Sequence, residues 1–190
     1  MTDRLVILDR DGVINQDSDD YIKSLDEWVP IPGSLEAIAR LSHAGFRVAV
    51  ASNQSGLARG LFGLDTLNAI HQRLSERVSA LGGRIEMIAF CPHGPDDGCD
   101  CRKPRPGLLL EIAARFDVEL ADVPFIGDSL GDIQAACTAG ALPWLVRSGK
   151  GERTLARLRK QGADDTLYDL PIYPDLNAAA TALIDNSGSL

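Results

Sequence analysis

The stretch Leu5-Val6-Ile7-Leu8-Asp9-Arg10-Asp11-Gly12 sets four consecutive apolar residues directly against two aspartates and a glycine. An unbroken apolar run of this length, 5–8, reads as a short strand buried on both faces, the kind found in parallel sheets. The same grammar repeats outward from it. Residues 34–44 carry helical spacing up to Gly45, and 47–52 (RVAVAS) form a second strand. Leu67, Ile70, Leu74, Val78 and Leu81 recur at helical spacing until Gly82-Gly83, and 85–90 (IEMIAF) form a third strand. Leu108, Leu109, Ile112, Ala113 and Phe116 mark a helix; 124–128 (PFIGD) end a fourth strand, 132–139 are helical and 142–146 (LPWLV) form a fifth strand. This alternation predicts an α/β fold, a doubly wound parallel sheet with helices on both faces and ligands beyond the carboxyl ends of its strands. One domain is expected over 1–185, with a disordered tail at 186–190 (NSGSL).

The 190 residues carry 19 Lys and Arg against 27 Asp and Glu, a net charge of −8. Such a surface disfavours partners bound by neutralising many phosphates, so nucleic acid is an unfavourable ligand. No apolar run is long enough for a signal peptide or a membrane span, and a cytoplasmic monomer acting on a small molecule is expected. Four cysteines in a chain of this kind point to a reducing compartment, where clustered thiols bind metal more often than they form disulfides.

The chemistry-bearing residues fall at the predicted strand ends. Asp9 and Asp11 follow the first strand, Gly12 allows a sharp turn, and Asp128 follows the fourth. Three carboxylates at one sheet edge repel one another unless a cation lies among them, and an all-oxygen set suits Mg²⁺, which usually also binds substrate phosphate. Ser52, Asn53, Gln54 and Ser55 offer hydroxyl and amide donors, and Lys103 offers a positive charge. An aspartate nucleophile, a second carboxylic acid to protonate the leaving oxygen and then activate water, and cations to offset charge suffice for phosphoryl transfer through an aspartyl-phosphate. Singly these are weak signals, since a surface DxD is most often solvated acid; their order carries the reading.

Cys91, His93, Cys99 and Cys101 form a Cys₃His set suited to tetrahedral, structural Zn²⁺. The loop contains Pro92, Gly94, Pro95 and Gly98 and has no regular backbone bonding, so a metal there would fix Arg102 and Lys103 over a phosphate. Free thiols or a strained Cys99–Cys101 disulfide are the alternatives. Cys137, among alanines, reads as a small core residue, and His43 and His71 as helical residues without a partner.

Four motifs, LDRDG (8–12), SNQSG (52–56), RKP (102–104) and GDSLGD (127–132), occur in an order that resembles the haloacid dehalogenase (HAD) superfamily of phosphatases. The resemblance implies Asp9 as nucleophile, Asp11 as general acid and base, and Ser52 and Lys103 as phosphoryl stabilisers. It implies Asp9, the Asp11 carbonyl and Asp128 as Mg²⁺ ligands. Asp132 reads equally well as a residue behind the metal or as an acid at a helix N-terminus. The segments after Asp11 and in the cysteine loop are too short for a separate cap domain. The combination of LDRDGVIN, DDYI, IPGSLEAI, SNQSGLARG, CPH…CDCRKP and LVRSGKG looks like the D-glycero-D-manno-heptose 1,7-bisphosphate 7-phosphatases, which serve lipopolysaccharide or surface-glycan synthesis. Histidinol-phosphate phosphatases share the zinc loop and are the alternative; a catalytically silent phosphosugar-binding protein is a third reading. Arg59 favours a bisphosphate, as a partner for a second phosphate. The resemblance places Asp17, Asp20 and Arg102 against the sugar and Ser129 beside the metal aspartate, whereas the bland reading of 17–20 is an acidic surface loop.

Overall fold

The structure, a computed structural model, describes residues 4–160 and 170–187. Its elements follow in chain order: β1 (Arg4–Leu8), α1 (Ser34–His43), β2 (Phe46–Asn53), α2 (Leu64–Ala80), β3 (Met87–Cys91), α3 (Gly107–Phe116), β4 (Pro124–Gly127), α4 (Leu130–Ala139), β5 (Leu142–Val146), α5 (Gly151–Lys160), β6 (Ile172–Tyr173) and α6 (Leu176–Ser187). The strands form one parallel sheet in the order β3-β2-β1-β4-β5-β6. The chain builds outward from β1 in one direction and from β4 in the other, so the order reverses between β1 and β4, and the crevice at their carboxyl ends is the place for a ligand.

Side-chain alternation along the strands divides the core between the two faces. Val6, Leu8, Val48, Val50, Ile126 and Val146 pack with Leu35, Ile38 and Leu41 of α1, Ile70, Leu74 and Val78 of α2, and Leu176, Ala179 and Leu183 of α6. Leu5, Ile7, Ala49, Ala51, Ala89 and Phe125 pack on the other face with Leu108, Leu109 and Ile112 of α3 and Ala135 and Ala136 of α4. Burial of β1 on both sides is why 5–8 is apolar without alternation.

Element type matches the expectation at all five predicted strands and four predicted helices, and the differences lie at the ends. Leu81 is 42% exposed and caps α2 rather than belonging to its apolar stripe. The third strand begins at Met87; Glu86 just before it already donates its N–H to the Val48 carbonyl of β2 (2.9 Å). α4 starts at Leu130, two residues earlier than its apolar pattern. Cys137 is a correction: it is exposed, since α4 buries Asp132, Ile133, Ala135 and Ala136 and turns residue 137 outward. Asn186 and Ser187, read from the sequence as tail, close α6, and 188–190 lie outside the described residues. Residues 9–33, between β1 and α1, contain only the isolated bridges Asp11 to Asn15 and Asn15 to Pro30, and 92–106 contain no helix or strand, so neither position carries a cap domain. No described helix is long and apolar enough to cross a membrane.

Ile7, fully buried on the α3/α4 face, and Leu110, 49% exposed on α3, test this packing. Ile7→Ala is expected to cost about 2–5 kcal/mol in denaturant unfolding, and Leu110→Ala less than about 0.5 kcal/mol. Equal costs would contradict the assignment of faces.

Candidate active site and cysteine loop

Asp9 leaves β1 with its backbone N–H donating to the Ile126 carbonyl of β4 (2.9 Å), which fixes it over the crevice. Its Oδ1 accepts from the Arg10 N–H (2.8 Å) and lies 2.8 Å from Lys103 Nζ. The same ammonium is 2.6 Å from Asp132 Oδ1 and donates to the Ala51 carbonyl at 2.9 Å. Lys103 thus sits buried among oxygens from the ends of β1, β2 and α4. Burial works to lower its pKa, but the charges of Asp132 and Asp9 outweigh it and hold the amine protonated.

Asp9, Asp128 and Asp132 each bring an oxygen within 4.8 Å of the others. Burial, then repulsion from Asp132, holds Asp9 well above the usual carboxylate range against the pull of Lys103. Burial and Asp132 push Asp128 up to about 7. Asp132 has both oxygens engaged: Oδ1 faces Lys103, while Oδ2 accepts from Ser129 N (3.0 Å) and Ser129 Oγ (2.6 Å) in the capping box that starts α4. Asp132 is thus a helix cap, as one of its two readings had it, with its other oxygen turned to Lys103.

The backbone closes tightly around Asp128. A Cβ on Gly12, whose φ is +87°, would stand 2.0 Å from Asp128 Oδ2, and one on Gly149 would stand 2.2 Å from the same oxygen. Only glycine fits at either position. Lys150 N donates to Asp128 Oδ2 (2.6 Å), Thr154 Oγ1 to the Asp128 carbonyl (2.9 Å) and Ser148 Oγ to the Gly12 carbonyl (2.7 Å).

Asp11 lies in a different environment. Arg10, 1% exposed, donates to it through Nε (3.1 Å) and Nη2 (3.0 Å), Asn15 Nδ2 donates at 2.8 Å and Gln54 Nε2 at 2.9 Å. Burial pushes its pKa up, yet the Arg10 charge and these hydrogen bonds overcome it and hold Asp11 below the usual carboxylate range. Arg10 Nη1 lies 3.3 Å from His71 Nε2. Burial and the Arg10 charge lower the His71 pKa to about 4, so the ring is neutral and accepts.

Asp9, Asp11, Lys103, Asp128 and Asp132 line a cavity of about 280 Å³. Of the residues expected at the site, it gathers Asp9, Asp11, Asp17, Asn53, Gln54, Ser55, Arg102, Lys103, Asp128 and Ser129. Three stand off its wall. Ser52, 1% exposed, lies beneath, with Oγ accepting from Gln54 Nε2 (2.8 Å). Asp20 faces an outer groove with Lys23 and Glu27. Arg59 is exposed and off the wall, its guanidinium 5.9 Å from the ring centre of Tyr21, which does line the cavity. Asn53 reaches the wall, but its amide pairs in both directions with the Lys103 backbone at 3.1 Å. Sequence reasoning missed Arg10, Asn15, His71, Gly149, Lys150 and Thr154. The short LVRSGKG stretch held two of them, and Arg10 sits inside the DRD motif itself.

The cysteine cluster is assembled. Cys91 Sγ is 3.6 Å from His93 Nδ1 and from Cys99 Sγ, and Cys101 Sγ is 3.2 Å from Cys91 Sγ and 3.3 Å from His93 Nδ1. All four cysteines are free. Four ~2.3 Å bonds to one tetrahedral ion separate sulfurs by roughly 3.8 Å, so this donor set is close to a zinc-sized cage. Burial, with its sulfur neighbours, pushes Cys101 up to about 12. Burial also acts to raise Cys99, but hydrogen bonds from the Arg102 backbone and the other thiols bring it down to about 7. Arg102 Nη1 donates to the His93 carbonyl (3.3 Å), and Arg105 Nη1 to the Cys99 carbonyl, which binds the loop to the segment carrying Lys103.

The HAD-hydrolase-like family matches residues 100–171. The D-glycero-beta-D-manno-heptose-1,7-bisphosphate 7-phosphatase of Pseudomonas aeruginosa is 56% identical over 184 residues, 97% of this chain and 99% of its own length. The protein of the same name from Bordetella bronchiseptica is 60% identical over 154 residues, 81% of this chain and 86% of its own. The crystal structure of D,D-heptose 1,7-bisphosphate phosphatase from B. bronchiseptica, complexed with magnesium and phosphate, aligns with a TM-score of 0.90 at 54% identity, covering 96% of this chain and 99% of that one. The corresponding enzyme from Burkholderia thailandensis aligns at 0.73 and 45% identity, over 95% and 98%.

The Asp128 environment gives a pH test. Its folded pKa near 7 stands above the ordinary 3.8, so the folded chain holds this proton more tightly than the unfolded chain. The stability this contributes is complete below about 3.8 and is lost as pH rises through about 7. In magnesium-free buffer, the Tm of Asp128→Asn is expected to gain on that of the native chain between pH 5 and pH 8; parallel pH profiles would refute the attribution. For the cysteine loop, elemental analysis is expected to find about one zinc per chain. Cys99→Ser should lose the zinc and lower Tm, and added Mg²⁺ should not restore either. Zinc-free protein prepared under reducing conditions would overturn this assignment.

Proposed function

The chain belongs to the D-glycero-beta-D-manno-heptose-1,7-bisphosphate 7-phosphatases, phosphoric monoester hydrolases of the HAD type, and from that premise we propose that it removes the 7-phosphate of this bisphosphate through an aspartyl-phosphate on Asp9. The observation that carries the chemistry is the buried Lys103 ammonium held 2.8 Å from Asp9 and 2.6 Å from Asp132, on the wall of a cavity that Asp11 also lines.

Asp9 attacks phosphorus along the cavity axis, with Lys103 facing the charge that develops on the phosphoryl oxygens. The departing sugar oxygen takes a proton from Asp11, and Asp11 as carboxylate then takes one from the water that cleaves the acyl phosphate. The clamp of Arg10, Asn15 and Gln54 keeps Asp11 ionised in the free protein, its form for the second step. An incoming phosphate dianion raises the Asp11 pKa by like-charge repulsion and lets it arrive protonated for the first.

Asp9 and Asp128, both lifted above the carboxylate range by burial and repulsion, form a donor set that fits a hard divalent cation. Together with the Asp11 carbonyl they would hold Mg²⁺, which supplies positive charge against the phosphoryl oxygens. Asp132, occupied by Lys103 and Ser129, orients the lysine. Zn²⁺ in the cysteine loop would be structural, fixing Arg102 and Lys103. A single domain over 1–185, a monomeric state, a cytoplasmic location and a role in lipopolysaccharide or surface-glycan heptose synthesis belong to the same reading. Arg102, on the cavity wall, and Arg59, exposed beside Tyr21, are the groups proposed to hold the second phosphate.

Asp9→Asn is expected to keep the fold and phosphate binding while abolishing turnover, and Asp11→Asn to reduce kcat by about 10²-fold or more. Across both anomers of the heptose bisphosphate, fructose 1,6-bisphosphate and histidinol phosphate, kcat/KM should be highest for a heptose bisphosphate. Histidinol phosphate as the best substrate would overturn the substrate assignment and leave the phosphatase chemistry standing.

A further inference from the structure

The turn after β5 links the metal aspartate to the loop over the cavity. Its backbone is locked from three sides: Lys150 N on Asp128 Oδ2 (2.6 Å), Ser148 Oγ on the Gly12 carbonyl (2.7 Å), and Gly149 packed so closely on Gly12 that an added Cβ would lie 2.4 Å from its Cα. From this fixed point the Lys150 side chain reaches out along the cavity wall, and Nζ meets Asp17 Oδ2 at 2.8 Å. The two ends of the pair differ in exposure: the Asp17 side chain is 13% exposed, that of Lys150 43%. The neighbouring pair of Arg153 with Asp19, at 3.5 Å and 66% and 74% exposed, contributes little.

The loop so tethered, 17–22, has no helix or strand to stiffen it. It turns on local contacts, Asp20 N to Ser18 Oγ (3.1 Å) and Tyr21 N to Ser18 O (3.2 Å), with Tyr21 in the left-handed region at φ 67° and Ile22 buried in the core. Asp17, Ser18, Asp19, Tyr21 and Ile22 all line the cavity that the buried Lys103 also lines. A substrate whose phosphate lies at Asp9 must present the rest of its body to this loop. Holding Asp17 in one place reduces the ordering that binding would otherwise demand of the loop.

Resting on the phosphosugar reading above, we propose that Lys150 is a positioning residue for substrate specificity, acting through Asp17 to hold the 17–22 loop against the sugar. It needs no contact with the reacting phosphate. Its effect belongs to the recognition of the sugar, which a small aryl phosphate does not engage.

The test compares D-glycero-D-manno-heptose 1,7-bisphosphate with para-nitrophenyl phosphate on the full chain carrying Lys150→Met, Lys150→Arg, Asp17→Asn or the Met/Asn double substitution. Lys150→Met should raise KM for the bisphosphate on the order of fivefold, with a smaller change in kcat, and lower the bisphosphate-to-aryl ratio of kcat/KM by a similar factor. Lys150→Arg, which keeps the charge, should recover most of that ratio. Asp17→Asn reads the same pair from the other side, so the inference stays testable if one variant folds poorly. The double variant should be no worse than the poorer single, because both remove one interaction. Equal loss of kcat on both substrates, or losses that multiply in the double variant, would overturn the inference alone. A native enzyme with no preference for the bisphosphate over the aryl phosphate would overturn the substrate reading and this inference with it.

Discussion

A single buried ammonium organises the site. Lys103 Nζ lies between Asp9 and Asp132 and donates to the Ala51 carbonyl, so four segments distant in sequence meet at one cation. Removing one partner from a buried ion pair costs about 3–5 kcal/mol, because the other charge is left without compensation. Here three charges share that condition, and each is held by a second structure. Asp9 is fixed to β4 through its N–H, Asp132 is the acid of a capping box, and Lys103 has its backbone clasped by the Asn53 amide. The cysteine cluster is tied through Arg102 and Arg105 to the irregular segment that carries Lys103.

The topology makes this convergence inexpensive. With β1 and β4 adjacent and the chain departing from them in opposite directions, two loops leave the same crevice without crossing. Asp9 and Asp128 arrive there as the first residues after their strands. The Gly12 and Gly149 contacts show how close the approach is: the loops touch backbone to backbone around one carboxylate oxygen, with no room for a Cβ. The lifted pKa values of Asp9 and Asp128 follow from burial and from the neighbouring carboxylates, the arrangement on which the proposed cation site rests.

Features that depend on local periodicity or on motif order were legible in the sequence. Residues 5–8 announced a doubly covered strand, and the DxD, SNQ, RKP and GDSLGD motifs lay where the sheet needed them. What could not be read depends on direction. Arg59 stands five residues past Gln54, but the turn that follows leaves it exposed beside the Tyr21 ring rather than on the cavity wall, and Ser52 is a buried strand residue whose hydroxyl pairs with the Gln54 amide. Cys137 differs from Ala136 by one residue and 100° of helix rotation, enough to put it in solvent. α5 reads as a charged surface stretch, since only Gly151, Thr154, Leu155 and Leu158 of its ten residues are buried, and β6 is two residues long. The Arg10 clamp on Asp11 was invisible because an arginine between two aspartates in sequence reads as a solvated charge, whereas here it is 1% exposed.

That clamp explains how two aspartates two residues apart can do different work. Both are buried by the same cavity, and burial pushes both pKa values up. Asp9 faces Asp132 and Asp128 as well as Lys103, and burial with the repulsion outweighs the lysine, so its charge calls for a further cation. Asp11 faces Arg10, Asn15 and Gln54, so its charge is favourable without one. Neutral His71, accepting from Arg10 Nη1, satisfies the guanidinium on its remaining side without drawing charge away from Asp11. Under the proposed mechanism, the nucleophile Asp9 would be made competent by what binds with it, and the acid–base group Asp11 by the fold. Such a separation would let an alternating pair on one strand end serve as attacking group and proton carrier in a single site.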